Sequence, residues 1–487
     1  MVNDSFSRNG IPPLAGLCSF ADAQRTSMSV EDCVNWMKRH HYLLIRLHEI
    51  FTARITAEPL YELKTAFSLH AYYCAEHASQ FRRRVGELRE PPLGLEVIPH
   101  PGLKLLCDEV LCSPTHVELT TGLYEVIVPA LIASLKDYLA TTNPLADSPS
   151  VRVTRFCLLE LEEIAAFGKQ AVACLVDSTT HERLSPWVTL LKDCLHASGG
   201  VSGRDHSEQL ATSDSVDSTT PQPDLVAQFS ATPFRYDPVP KRDDRFRDPY
   251  NGGVNPEAFL YDERFQARDK VLMMFYKRIR EIDVPEMMAS ILHQTSGKPW
   301  KYYRDMSRQL WDEARHALLG EVGFVHLGID WTQIPINFTW SKNLNTQLEP
   351  WERHAVLFFI EQGLMPRTGK RYEWEVGQAS GVPLAALIQD FDWADEVLHA
   401  QIGREWYVRE FGGLNEAMAY GDQCWSQVMS QWRSYRDHGL TEHHNWWPEI
   451  YQAACEHWGV TPDPAAMAFD KTYESIRADL KGISASG

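Results

Sequence analysis

Trp311-Asp312-Glu313-Ala314-Arg315-His316 is repeated in outline about eighty residues later as Ala394-Asp395-Glu396-Val397-Leu398-His399. Both stretches read Asp-Glu-x-x-His. With Glu and His three residues apart, a helix points both side chains from one face into the same space. The 487 residues include 35 Glu and 19 His, so Glu-x-x-His alone is expected about 1.4 times by chance. Requiring one of the 30 Asp immediately before the Glu lowers that to roughly 0.08. Two copies are therefore a strong signal. Two such pairs, joined by one Glu from each of two further helices, make the ligand set of a di-iron or di-manganese site inside a four-helix bundle.

The two further carboxylates should sit on apolar helix faces. In Val356-Leu-Phe-Phe-Ile-Glu361-Gln-Gly-Leu-Met, Glu361 stands among residues that would otherwise all be buried. An ionised carboxylate there costs several kcal/mol unless it is paired or metal-bound. Earlier in the chain Glu281 and Glu286 compete. Glu286 has Ile282, Ala289 and Ser290 at helical spacing, a core-like face, whereas Glu281 has Lys277 and Arg278, which read as solvated. Glu286 is the choice. The expected ligands are Glu286, Glu313, His316, Glu361, Glu396 and His399, a mixed N/O set suited to iron or manganese. The plain alternative is that each Glu pairs with an Arg or Lys and each His is a satisfied core residue.

Asp312-Glu313-Ala314-Arg315-His316 resembles the Asp-Glu-x-Arg-His form of the ferritin-like di-iron carboxylate proteins. Monooxygenase hydroxylases, acyl-carrier-protein desaturases, ribonucleotide reductase small subunits and arylamine N-oxygenases belong to that superfamily. The likeness covers about residues 280–410, and only the ligand motifs are specific. It implies that Asp312 and Asp395 accept hydrogen bonds from the outer nitrogens of the ligating histidines, fixing their tautomers, with Arg315 beside them. The second copy departs from the form, having Leu398 where the first has Arg315, which leaves one Asp without its expected Arg. Asp392, one turn before Glu396, matches the offset of an extra His ligand in some N-oxygenases. It is the candidate catalytic residue, as a seventh ligand or proton relay, or else a helix-surface carboxylate. His293 and His354 lie two turns from Glu286 and Glu361, too far to ligate. They read as core or pocket residues.

Apolar residues at three- and four-residue spacing dominate the chain and strand patterns are scarce, so the expected class is all-α. Residues 1–196 read as an N-terminal helical bundle. Its Glu49, His70, Glu76, His77, Glu125, Glu160 and Glu163 are either the remains of a metal-free ferritin-like copy or ordinary surface charge and core histidines. Residues 197–250, rich in Ser, Thr, Asp, Gly and Pro, read as a flexible linker. Residues 251–412 would form the di-metal bundle, opening with one helix over about 257–295 kinked at Pro285. Residues 413–487 would pack helices outside it.

A net charge of −18 argues against a nucleic-acid partner. No apolar run approaches the roughly 18 residues of a membrane span, and the first residues lack a secretory pattern, so no membrane is expected. Ten cysteines without a Cys-x-x-Cys pair fit free thiols in the cytoplasm. The expected function is O2-activating non-haem di-iron oxidation of a small organic substrate, with two Fe ions (Mn allowed at one position) and O2 as co-substrate. Phe358, Phe359, Leu357, Trp393 and Met306 are the apolar candidates for its cavity. The chain has no Gly-x-Gly-x-x-Gly and no cysteine set for an iron–sulfur cluster, so an external electron donor or the substrate must supply electrons. A homodimer is left open. The competing expectations are a ferroxidase or iron-handling protein and a metal-free helical scaffold.

Overall fold

A computed structural model describes residues 10–204, 225–366, 369–429 and 432–472. Among these the regular elements are all helices and no strand occurs, so the all-α class holds. The chain divides into two compact units, one of Met1–Ile50 and Tyr73–Arg235, the other of Phe51–Tyr72 and Tyr236–Gly487.

The first unit contains most of α1 (Val30–Ile55), the second half of α2 (Tyr61–Leu88), α3 (Pro101–Leu111), α4 (His116–Thr141), α5 (Ser148–Leu175) and α6 (Ser178–Ala197). Helix α4 is long and apolar enough to cross a membrane, which corrects the reading that no such stretch exists. Two thirds of its most apolar stretch is buried within the protein, so packing in the core accounts for its composition. Several of the acidic and histidine residues singled out here form ordinary pairs. His77 Nε2 lies 2.6 Å from Glu160 Oε2, and Glu49 lies 2.8 Å from Arg46 Nη1. Among the described residues of this unit no group of His, Cys, Asp and Glu is arranged to hold a metal. Described parts of the expected linker are held in place: Arg39 donates to the carbonyls of Ser198 and Val201. Glu109 accepts the backbone N–H groups of Gln228, Phe229 and Ser230, and residues 205–224 lie outside the described set.

In the second unit Pro285 does more than kink a helix. The chain forms α7 (Pro256–Leu260), α8 (Ala267–Arg280) and α9 (Asp283–Gln294), with a break at Glu281 and Ile282. A proline ring collides with the carbonyl four residues back, which here is that of Glu281. The helix ends there and restarts with Pro285 in the first turn of α9, where it withdraws no needed N–H. Helix α10 (Trp300–His326) packs against α8, α9 and α14 (Pro383–Trp406). Helix α12 (Pro350–Gly363), opened by a reciprocal Glu349/Glu352 cap, packs against α9 and α14. Between them run α11 (Thr339–Gln347) and α13 (Lys370–Ala379), and α15 (Leu414–Val428) and α16 (Trp447–Trp458) follow.

Close approach of α8 to α10 depends on Gly320, where a Cβ would lie 2.2 Å from the backbone nitrogen of Ile279. Ile279 is two residues before Glu281 and Gly320 is one turn after His316, so this contact brings those two side chains to the same level. Phe275, Ile279, Phe324, Trp446 and Trp447 are buried in the surrounding core. Each such burial stabilises by roughly 2–3 kcal/mol.

Candidate metal centre

Glu281, at the end of α8, meets Glu313 and His316 of α10, Glu361 of α12, and Glu396 and His399 of α14. Two groups of these side chains have atoms close enough to share an ion: Glu313, Glu361, Glu396 and His399, and Glu281, Glu313 and His316. A third joins His316 and Glu396 to Asp392. Glu313 spans both sides, with Oε1 3.1 Å from His399 Nδ1 and Oε2 3.7 Å from His316 Nδ1. The imidazole centroids are 5.9 Å apart. On the His316 side, Nδ1 is 3.3 Å from Glu281 Oε2 and 3.6 Å from Asp392 Oδ1. On the His399 side, Nδ1 is 3.6 Å from Glu396 Oε2 and 3.8 Å from Glu361 Oε1.

Hydrogen bonding tests whether these residues suit a cation. Buried polar atoms are normally paired. Here Glu281 Oε2, Glu313 Oε1, His316 Nδ1, Glu361 Oε2, Glu396 Oε2 and His399 Nδ1 are all buried without a hydrogen-bond partner. Each of the six residues thus keeps one such atom. The outer atoms of both histidines and of Glu361 are engaged. His316 Nε2 is 3.1 Å from Asp395 Oδ2, His399 Nε2 is 3.4 Å from Asp312 Oδ2, and Gln309 Nε2 donates to Glu361 Oε1 at 3.1 Å. Those bonds fix each imidazole with Nδ1 inward, so buried carboxylate and imidazole groups are in place that could hold a metal ion.

The charges are tightly coupled. Burial opposes ionised His316, but contacts with Asp395, Glu281 and Glu313 carry its pKa up to about 10. His399 is raised in the same way by Asp312, Glu313 and Glu396. Burial, then the Glu396 and Glu313 carboxylates, push Glu361 well above the usual carboxylate range. Glu281 is pulled down to about 2 against burial by Arg278 and Lys370. A site in which carboxylates hold their neighbours' protons is one short of positive charge.

Glu286 is a correction: it stands outside this centre. Its carboxylate is paired with Lys64 and with Arg242, the latter at 3.0 Å, and accepts from Ser341 Oγ at 2.9 Å. Glu281 takes the expected place. Two physical facts hid it. The break imposed by Pro285 turns Glu281 inward, and Lys277 and Arg278 are themselves buried, paired with Glu373 and with Glu281 and Asp392. A proline four residues after a Glu was the available signal. Asp392 is no surface carboxylate. It is fully buried and lies 2.9 Å from Lys370 Nζ through each oxygen. Lys370 also lies 2.8 Å from Glu396 Oε1, and nothing in its sequence context marked it. Nor does Leu398 orphan an Asp, because Arg315 Nη2 reaches both Asp312 Oδ1 and Asp395 Oδ2 at 2.6 Å.

Beside the centre lies a cavity of about 300 Å3. Its wall is mixed: Glu281, Arg278, Lys277, Arg280 and Asp283 share it with apolar Met287, Trp340, Leu344, Phe359 and Leu364. Of the expected cavity residues, Phe359 lines it; Phe358, Leu357, Met306 and Trp393 do not. His293 stacks on Tyr236 at 4.8 Å, and His354 lines a separate pocket with Tyr302 and Trp351. Comparison with protein-family models, with curated proteins and with solved structures finds no match to this chain.

Proposed function

We propose that the second unit is a ferritin-like four-helix bundle around a two-metal centre, and that the protein is an O2-dependent oxidoreductase acting on a small organic molecule. The observation that carries this reading is the set of six buried donor atoms, one on each of Glu281, Glu313, His316, Glu361, Glu396 and His399, that face one another without a well-formed hydrogen bond. Four carboxylates and two imidazoles suit a pair of divalent iron ions, with manganese acceptable at one position. Such a pair, when bound, supplies electrons to O2.

The chain's own part is positional. Asp312 and Asp395 keep the imidazoles in the tautomer that presents Nδ1, and Arg315 holds both carboxylates. Gln309 orients Glu361. The apolar part of the neighbouring cavity's wall accepts an organic body, which favours a small-molecule substrate over stored iron. An external reductant or the substrate itself provides electrons. Ten free cysteines suit a reducing cytoplasm.

The test is elemental analysis of protein expressed with iron, followed by O2 uptake by the Fe(II)-loaded protein with a panel of amines, fatty acids and aromatic acids. Two metals per chain and substrate-stimulated uptake are expected. Protein that neither carries nor accepts metal would remove the reading, and metal binding without substrate-dependent uptake would favour iron handling.

A further inference from the structure

The two halves of the centre are not equivalent, and the difference lies in Lys370. Its Nζ is fully buried, 2.8 Å from Glu396 Oε1, 2.9 Å from both oxygens of Asp392 and 3.9 Å from Glu281 Oε1. Arg278 adds a second buried cation, with Nη2 2.8 Å from Glu281 Oε1 and Nη1 against Asp392. All three carboxylates belong to the groups on the His316 side. The His399 side shares only Glu396 with Lys370, and through the other oxygen: Glu396 Oε2 faces His399, while Oε1 faces the ammonium.

We infer that Lys370 acts as a built-in competitor for the second metal ion, so that the His399 side fills first and the His316 side fills only when a divalent ion displaces the ammonium from Glu396. The inference rests on the two-metal reading above and deepens it. Three considerations support it. Like charges brought together in a buried site repel strongly, because little water separates them. A divalent ion on the His316 side arrives beside two fixed cations, whereas on the His399 side it meets Glu313, Glu361 and Glu396 with only one cation at the far edge. Lys370 is also poorly placed to serve as a mere surface pair. It begins α13, it is completely enclosed, and its partners are the carboxylates a metal would claim. Lysine is suited to such a role, since its long stem can move its charge a few ångströms without disturbing the helix that carries it. Ordered filling would give the protein a stable one-metal form that becomes a two-metal centre only when metal is plentiful.

The experiment is anaerobic titration of metal-free, full-length protein with Mn(II), reading free ion and spin coupling by electron paramagnetic resonance. The wild type should take one Mn(II) as an isolated ion, and a second at least about tenfold more weakly. Lys370→Met should bring the two affinities within about threefold and give coupled pairs below one equivalent. Lys370→Arg, which retains the charge, should keep the wild-type order. A wild type that stops at one ion while Lys370→Met takes two also supports the inference. Circular dichroism verifies folding, and Lys370→Gln replaces the Met variant if that one fails to fold. Two equal sites in the wild type overturn the inference while leaving the two-metal reading intact, as does an unchanged affinity ratio in Lys370→Met. A wild type that binds neither Mn(II) nor Fe(II) removes the two-metal reading itself.

Discussion

Asp395 Oδ2 lies 3.1 Å from His316 Nε2, so the Asp of one Asp-Glu-x-x-His motif orients the His of the other. The reverse pair, Asp312 and His399, is 3.4 Å apart. The motifs therefore work as an exchanged pair across α10 and α14, and Arg315 ties the two carboxylates together.

Weakening this exchange should loosen metal binding without removing a ligand. Asp395→Ala is expected to lower affinity about 10- to 100-fold, the usual effect of losing a carboxylate behind a ligating imidazole. Arg315→Met, which releases both Asp residues, should act in the same direction. Competition against a chelating dye measures it, and affinities unchanged in both variants would mean the His–Asp bonds have no part in the site.

Glu281 and Glu286 should separate function from stability. Glu281→Gln is expected to reduce bound metal and to cost less stability than the Glu286 change, because Arg278 keeps Asp392 as a buried counter-charge. Glu286→Gln should leave metal content intact and lower stability by about 3–5 kcal/mol, because Lys64 and Arg242 lose a buried counter-charge. Metal analysis and denaturant unfolding on both variants decide the assignment. The opposite pattern would restore Glu286 to the site.

Much of the centre was legible because its chemistry is local. A Glu and a His three residues apart share a helix face wherever that helix goes, and Glu361 could be read from its apolar neighbours. What the sequence hid depends on tertiary context. Lys277 and Arg278 look solvated until their buried partners Glu373 and Asp392 are brought in from α13 and α14. Glu286 looks like a ligand because its face is apolar, but the cations that satisfy it come from Lys64 and Arg242, far away in the chain. Lys370 begins a helix in a Gly-Lys-Arg stretch whose pattern resembles any surface turn. The all-α class, by contrast, follows from periodicity along the whole chain, and the described residues are helical without a strand.

The first unit should be sensitive to acid through its buried histidines. His41 is fully buried with neither ring nitrogen hydrogen-bonded, and burial, with Arg82 nearby, pushes its pKa down to about 3. The sign follows from proton counts. Between its ordinary value of 6.5 and about 3, the unfolded chain holds a proton at His41 that the folded chain lacks. Its contribution is therefore intact above the ordinary value and is lost as the pH falls through this window. His41→Leu should stabilise the protein by about 2 kcal/mol at roughly pH 5 from this linkage, and by less near pH 7. Urea unfolding at both pH values tests it. Equal effects at the two would show that His41 does not titrate between them.

The cavity beside Glu281 should decide which molecules are oxidised. It is closed on one side by Leu344 and Trp340 of α11, helix residues that hold none of the six candidate ligands. Leu344→Trp places a larger apolar group against the same space, so metal content should be unchanged while an organic substrate is crowded out. For the best substrate of the panel, the expected result is a KM raised at least about tenfold, the effect of losing one or two buried apolar groups of contact. Residual O2 uptake without substrate should remain at the wild-type level, because the centre itself is untouched. Trp340→Ala removes an aromatic wall and should shift preference toward bulkier members of the panel. Metal analysis, O2-electrode kinetics and product analysis on the same preparations separate these effects. If Leu344→Trp left KM and coupling unchanged for every substrate, access to the centre would have to run along another side of the bundle, and Glu281 would face a cavity that substrate does not use.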